Sequence, residues 1–211
     1  HLHRPVPHPI ELTTMMLATL FDFPFEQRRK LTRWSDVATG GPETGVVETE
    51  EQRHEELIEC LTFFTELWQQ RAESGEGNDF ISMLANSEAT KDMSPQEYLG
   101  NLILLIVGGN DTTRNSMTGG VLALNENPGE YAKLRNNPSV IPSMVSEIIR
   151  WQTPLAHMRR IATQDYELAG QKIKAGDKVI MWYVSGNRDE SAIDRANEFV
   201  IDRPQVRHHL S

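Results

Sequence analysis

A mainly α-helical fold with a small β-sheet region late in the chain is what this sequence predicts, and three observations carry it. Leu57, Leu61, Phe64 and Trp68 recur at i, i+4, i+7 and i+11, the period of one helix face. Ser94-Pro95-Gln96-Glu97 writes a capping box with proline at the first helical position, and nothing stops that helix before Asn127-Pro128-Gly129. After Pro154 the β-branched and aromatic residues gather, most densely over 179–184.

Taken in order, residues 11–21 read as a helix with apolar positions at Leu12, Met15, Met16, Thr19 and Leu20, interrupted by Pro24. A basic, partly helical stretch follows over 27–37, then a loop of glycine, proline and threonine over 39–45. Five glutamates between Glu48 and Glu56 lead into the helix of Leu57, Leu61, Phe64 and Trp68. Cys60 lies there among Phe63 and Phe64, the setting of a small core hydrophobe. A second loop covers 74–79 and a helical turn 80–84. The long central helix covers about 95–126, roughly 45 Å at 1.5 Å per residue. Tyr131 and Arg135 belong to another helix, and a further one spans about 141–151. The β-rich part covers about 158–184, with strands expected at 160–163, 166–168, 172–173 and 179–184.

The chain has 211 residues with 21 Lys and Arg against 30 Asp and Glu, a formal charge of −9. That balance argues against a general nucleic-acid binder, which needs a basic face. The longest purely apolar run, Leu102 to Val107, is far short of the ~20 residues that span a bilayer, so no transmembrane segment is expected. Cys60 is the single cysteine, which excludes an internal disulfide and a cysteine-rich zinc site and suits a reducing cytoplasm. An opening on His1 and an end at Ser211, after a polar stretch, read as an internal piece of a longer protein, with a trimmed domain as the alternative. His1, His3 and His8 read as a polar loop, with a metal site as the other possibility.

Three groups of residues carry chemistry. Inside the long helix, an apolar wall over 102–107 meets Gly108-Gly109-Asn110-Asp111-Thr112-Thr113. Interior glycines cost about 1 kcal/mol each relative to alanine. Their missing side chains admit a flat ligand to the backbone, and Thr112 can bond back to the Gly108 carbonyl, opening the ladder to a water. An acid, an alcohol and a water beside a cavity are the parts of a proton relay. The plain alternative is a kinked helix with a solvent-facing polar patch. Second, Glu147-Ile148-Ile149-Arg150 places a carboxylate and a guanidinium on one helix face. Glu26 with Arg29 and Glu50 with Arg53 repeat the spacing, but only the third copy sits between Met144, Val145 and Trp151, where burial is expected. Third, Arg159 and Arg160 open the sheet region while His208 and His209 stand near the end, anion-binding groups suited to a dianionic ligand or to a plain surface.

Together these stretches resemble the cytochrome P450 family. Gly108-Gly109-Asn110-Asp111-Thr112-Thr113 resembles the family's central oxygen-side helix, and Glu147 to Arg150 its Glu-x-x-Arg helix. Residues 160–168 and 175–179 are similar to the strand and turn beyond it, and Ser185-Gly186-Asn187-Arg188-Asp189-Glu190 to the Asn-Arg-Asp signature of bacterial members. Residues 12–24, 109–116 and 208–211 are similar to the soluble bacterial alkane hydroxylases.

The resemblance implies the cytochrome P450 fold, present as its central and C-terminal half only. It implies haem b as cofactor and a monooxygenase that hydroxylates the terminal carbon of medium-chain n-alkanes with O2. Electrons come from NAD(P)H through a ferredoxin reductase and a ferredoxin, in a soluble cytoplasmic bacterial system. Another hydrophobe, such as a fatty acid or terpene, and a non-catalytic helical ligand-binding protein are the alternatives. On this resemblance Asp111 and Thr112 deliver protons during oxygen activation, and Gly108 and Gly109 let the haem approach. Arg160 and His209 bind its propionates, Glu147 and Arg150 form a structural pair, and Leu104, Val107, Leu155 and Ala156 line the substrate pocket. The haem-ligand loop is missing: the axial cysteine is expected beyond Ser211, Cys60 is on the wrong helix, and the chain alone is not expected to hold haem in the native way. Glu198, before Phe199, stands where many members carry an arginine contacting the Glu-x-x-Arg pair.

Overall fold

The computed structural model describes residues 9–75, 77–204 and 209–210. His1, His3, His8, His208 and Ser211, each part of an expectation above, lie outside the described residues. The chain divides into two compact units, one up to Arg114 and one from Asn115.

The first unit is helical: α1 (Pro9–Leu20), α2 (Arg29–Thr39), α3 (Glu50–Ser74), α4 (Phe80–Asn86) and the first part of α5 (Pro95–Glu126). Local chemistry sets several starts. Thr49 caps α3 by accepting the Gln52 amide, and Asp79 caps α4 by accepting the Ser82 amide. At α5 the Ser94 amide donates to Glu97 Oε2 at 2.9 Å and the Glu97 amide returns to Ser94 Oγ at 3.3 Å. Gly75 closes α3 at φ +67°, a left-handed conformation glycine adopts without strain.

The core of this unit draws on every helix: Leu17, Phe21, Leu31, Trp34, Cys60, Phe64, Ile81, Tyr98, Leu102 and Ile106. Each large apolar side chain fully buried there contributes about 1.5–3 kcal/mol. Phe21 stands edge-on to Phe64 and Phe80, with both centroid separations 5.6 Å, and the Tyr98 hydroxyl donates to the Phe64 carbonyl. Cys60 is sealed in this core, and burial, with a smaller push from the charge of Glu59, raises its thiol to about 12. The inner face of α1 differs from expectation. Thr13, Thr14, Leu17 and Ala18 face the core, while Leu12, Met15, Met16 and Leu20 are exposed. Burial of two threonines costs little here because each hydroxyl donates to a carbonyl of the preceding turn.

The second unit contains the end of α5, then α6 (Pro128–Asn136), α7 (Ile141–Gln152), four short strands and α8 (Tyr183–Gly186). A Cβ at Gly120 would stand 2.7 Å from Ile148 Cδ1, so glycine is what lets α5 and α7 approach. Ala123, Phe199 and Ile201 form the buried centre, with Met144, Ile148 and Trp151 packed around them. Strand β1 (His157–Ile161) pairs antiparallel with β4 (Lys178–Trp182), Arg160 opposite Val179. Strands β2 (Tyr166–Leu168) and β3 (Gln171–Ile173) form a hairpin whose turn, Ala169-Gly170, takes positive φ at both positions.

The first and last strands depart most from the sequence reading. The first strand starts at His157 and ends at Ile161, because the Ala162 amide and carbonyl bond instead to the turn at Asp177 and Gly176. The last ends at Trp182, because Val184 enters α8. Among the described residues no helix is long and apolar enough to cross a membrane.

Candidate functional site

In the first unit the candidate residues lie on one stretch of α5. The helix is assigned without interruption through Gly108–Thr113. The Thr112 hydroxyl donates to the Gly108 carbonyl at 2.7 Å, which supplements the helical bonding. Leu102 and Ile106 point into the core, whereas Leu104 is 71% exposed and Val107 is half-buried. Space beside Gly108 is open, with nothing within 4 Å of where a Cβ would stand. Gly109 differs: a Cβ there would stand 2.6 Å from Leu17 Cδ2, so its missing side chain lets α5 pack closely against α1. Leu104, Gly108 and Thr112 thus stack at successive turns as an apolar, then bare, then hydroxyl-bearing face.

Asp111 is half-buried and pairs with Arg114, Nη2 to Oδ1 at 2.5 Å, one turn along the same helix. A second carboxylate is close by in electrostatic terms. Asp36 on α2 has its carboxyl held above the ordinary range, first by burial and then by the charge of Asp111, against the opposing pull of Arg114 and Arg33. The side chain of Asn110, one residue before, is fully buried; its Oδ1 accepts from Thr13, while Nδ2 has no partner among the described residues. The sequence reading missed both Asp36 and Arg114, which stand far from each other in the chain; the basic residue one turn after Asp111 was the legible half of the signal.

In the second unit Glu147 and Arg150 are buried, at 0% and 1% exposure. Arg150 Nε and Nη2 donate to the two oxygens of Glu147, both at 2.8 Å. Arg203, 7% exposed, adds its Nε at 3.0 Å and Nη2 at 3.4 Å, and the Val200 amide donates to the same carboxylate at 2.8 Å. Two cations against one carboxylate leave one surplus positive charge. Backbone carbonyls absorb it: those of Asn187, Ala196 and Glu198 accept from Arg150, and those of Asp194, Arg195 and Glu198 from Arg203. Burial opposes the charge on Glu147, but the bonds from Arg150, Val200 and Arg203 outweigh it and hold the carboxyl below its ordinary value.

This corrects the expectation at Glu198. The second arginine exists, at Arg203, and Glu198 contributes its main-chain carbonyl, so its acidic side chain is no break in the network. By contrast Glu50 and Arg53, with the same spacing, meet at 3.5 Å on the surface. The Asn-Arg-Asp stretch is wired to the same place. Buried Asn187 donates to Thr153 Oγ1 and accepts the Leu210 amide, and Arg188 lies 3.6 Å over the Trp151 ring.

The remaining candidates of this unit are on its surface. Arg159 and Arg160 are exposed on β1, and Arg160 Nη1 donates to the Arg159 carbonyl. His209 is half-buried, and Leu155 and Ala156, between α7 and β1, are exposed. Among the described residues no three His, Cys, Asp or Glu side chains group as metal ligands. Taken unit by unit, the residues suit a flat ring with carboxylate edges: the first offers open space at Gly108, and the second offers hydrogen-bond donors at Arg160 and His209. These residues include no thiolate, because the sealed, proton-holding Cys60 is not a ligand for iron.

A mainly helical chain with short antiparallel strands, a buried Glu–Arg–Arg network and an acid–alcohol pair on a long helix defines the class. The chain belongs to the cytochrome P450 family, whose model matches residues 9–209. It is similar to the solved CYP153D17 of Sphingomonas sp. PAMC 26605, 53% identical with a TM-score of 0.84, covering 96% of this chain and 50% of that one. Cytochrome P450-153 of Novosphingobium aromaticivorans is 50% identical with a TM-score of 0.81, covering 96% and 49%. Linalool 8-monooxygenase of Pseudomonas putida is 35% identical over 201 residues, 95% of this chain and 49% of that protein. The chain spans about half the length of the curated relatives it matches.

Proposed function

We propose that this chain is part of a haem-dependent monooxygenase that hydroxylates the terminal carbon of medium-chain n-alkanes. Electrons come from NAD(P)H through a ferredoxin reductase and a ferredoxin, in the bacterial cytoplasm. The observation that carries the reading is the α5 face on which open Gly108 precedes Thr112 by one turn, with Asp111 beside it. Haem b, when bound, supplies the activation of O2, one atom of which enters a C–H bond while the other leaves as water.

The chain's own residues hold and feed that chemistry. On the family resemblance Gly108 would leave room for the ring, and Arg160 and His209 would hold its propionates by hydrogen bonds. Thr112 and Asp111 hold and pass the protons that the departing water requires. Leu104 and Val107 on α5, with Leu155 and Ala156, present apolar surface to a hydrocarbon that has no polar group to grip. Glu147, Arg150 and Arg203 keep the supporting frame. The resemblance to alkane hydroxylases supports the substrate; likeness to a linalool 8-monooxygenase favours a terpene alcohol as the second reading.

The test is Thr112→Ala in the haem-loaded holoenzyme supplied with redox partners and n-octane. O2 uptake continues and is diverted mostly to hydrogen peroxide, with alcohol yield per O2 down about tenfold or more, the low end of a lost proton-transfer residue. Unchanged coupling overturns the reading. Turnover of linalool in preference to n-octane selects the second one.

A further inference from the structure

We propose that Asn187 is a positioning residue that ties the connection between α7 and β1 to the segment of His209 and Leu210, so that the two move as one. In the proposed function, on which this rests, the connection carries the pocket residues Leu155 and Ala156. Every residue involved lies in the second unit.

The connection starts from an unfavourable conformation. Thr153 ends α7 at φ +45° and ψ +65°, the left-handed region that a β-branched residue rarely adopts. Thr153 is buried, and its hydroxyl helps to hold it there. A hydroxyl has one proton. Thr153 donates its own to the Arg150 carbonyl at 2.7 Å, so towards Asn187 it can only accept. Asn187 therefore turns its Nδ2 to Thr153, at 3.1 Å, which leaves Oδ1 to accept the Leu210 amide at 2.8 Å. The Thr153 hydroxyl thus decides which end of the Asn187 amide meets Leu210.

The surroundings deny Asn187 another choice. It is fully buried, and its carbonyl accepts Arg150 Nη1 at 2.6 Å, which fixes its main chain. A reversed side-chain amide would set Nδ2 against the Leu210 N–H, two donors face to face in a buried place. Just before Asn187, α8 grips the connection a second time, where the Val184 amide donates to the Ala156 carbonyl at 3.2 Å. A Cβ at Gly186 would collide with Leu210 Cδ1, so bare glycine seats the Leu210 side chain. The connection is therefore clamped at Thr153 and Ala156, and Leu210 at its amide and its side chain. The consequence for the reaction is specificity: Leu155, between the two clamped points, meets the substrate from a fixed backbone.

The first test needs no turnover and follows amide hydrogen exchange in the full-length holoenzyme. Thr153→Val keeps the β-branch and removes a hydroxyl that bonds Arg150 and Asn187. The Leu210 amide should nonetheless exchange about tenfold faster, the opening expected when one buried hydrogen bond is lost. Thr153→Ser, which keeps the hydroxyl, should leave it protected. Asn187→Ala should speed exchange at Leu210 and Val184 together. The second test reads products. With n-octane, Thr153→Val and Asn187→Ala should lower the ratio of terminal to internal alcohols several-fold, with KM rising more than kcat falls. Thr153→Ser should keep the wild-type ratio.

Wild-type protection of Leu210 in Thr153→Val overturns the inference, even where Asn187→Ala fails to fold. Faster exchange with an unchanged product ratio overturns the specificity role. A wild-type enzyme that hydroxylates neither n-octane nor linalool overturns the function reading beneath it, while the exchange test still decides the coupling.

Discussion

The two charged clusters of this molecule are built on opposite plans. Around Glu147 every polar atom is spoken for: one carboxylate, two guanidiniums and a ring of backbone carbonyls, all nearly sealed from water. Around Asp111 the groups are half-buried, one arginine pairs the carboxylate, and a neighbouring amide nitrogen lacks a partner among the described residues. The difference teaches what each can do. A saturated buried network has no low-energy alternative and acts as a brace. A half-buried pair with an unpartnered neighbour is held less tightly, because solvent screens it and no second cation braces it.

The sharpest way to break this contrast is to remove one arginine from each side. Arg203→Ala leaves Glu147 short of a buried partner and should cost about 3–5 kcal/mol, seen as a large drop in the denaturant midpoint or failure to fold. Arg114→Ala, removing a pair whose side chains are 26% and 28% exposed, should cost under about 1 kcal/mol. Comparable losses would erase the distinction.

Glycines sharpen it next. Gly120→Ala forces a methyl into Ile148 and should destabilise by about 1–3 kcal/mol in thermal melts. Gly108→Ala meets open space and should stabilise by about 0.5–1 kcal/mol, while weakening haem affinity in a haem-transfer assay.

The smallest effects are in pH. Glu147 sits below its ordinary 4.5, so its contribution is fully present above that value and is lost as pH falls through the lowered one. Asp36 sits above its ordinary 3.8, so the folded state holds its proton more tightly and stability declines as pH rises through the raised value. Denaturant midpoints at neutral pH should therefore fall for Glu147→Gln and hold or rise for Asp36→Asn.

Helix starts were readable where the chemistry is local. The Ser94–Glu97 box and Pro95 announce α5, and Asn127-Pro128 ends it. Burial of Glu147 and Arg150 was readable from the apolar residues around them. What depends on distant backbone was not. Arg203 reaches Glu147 across 56 residues, and the carbonyls that absorb its charge carry no residue identity, so acidic Glu198 looked like a defect where it supplies only main chain. The inner face of α1 was hidden for a related reason: buried Thr13 and Thr14 look polar until their hydroxyls turn to their own helix. Gly108 and Gly109 are adjacent and alike in the sequence, and only packing separates an open position from one filled by Leu17.

Cys60 has a practical consequence. Its thiol is shut inside the aromatic core with its proton held to about 12, so alkylating reagents and spin labels have neither access nor thiolate to attack. A cysteine introduced on the surface, at Leu104 for instance, is then the sole reactive sulfur in these 211 residues. One probe can be set on the open face of α5 without first stripping the native residue out.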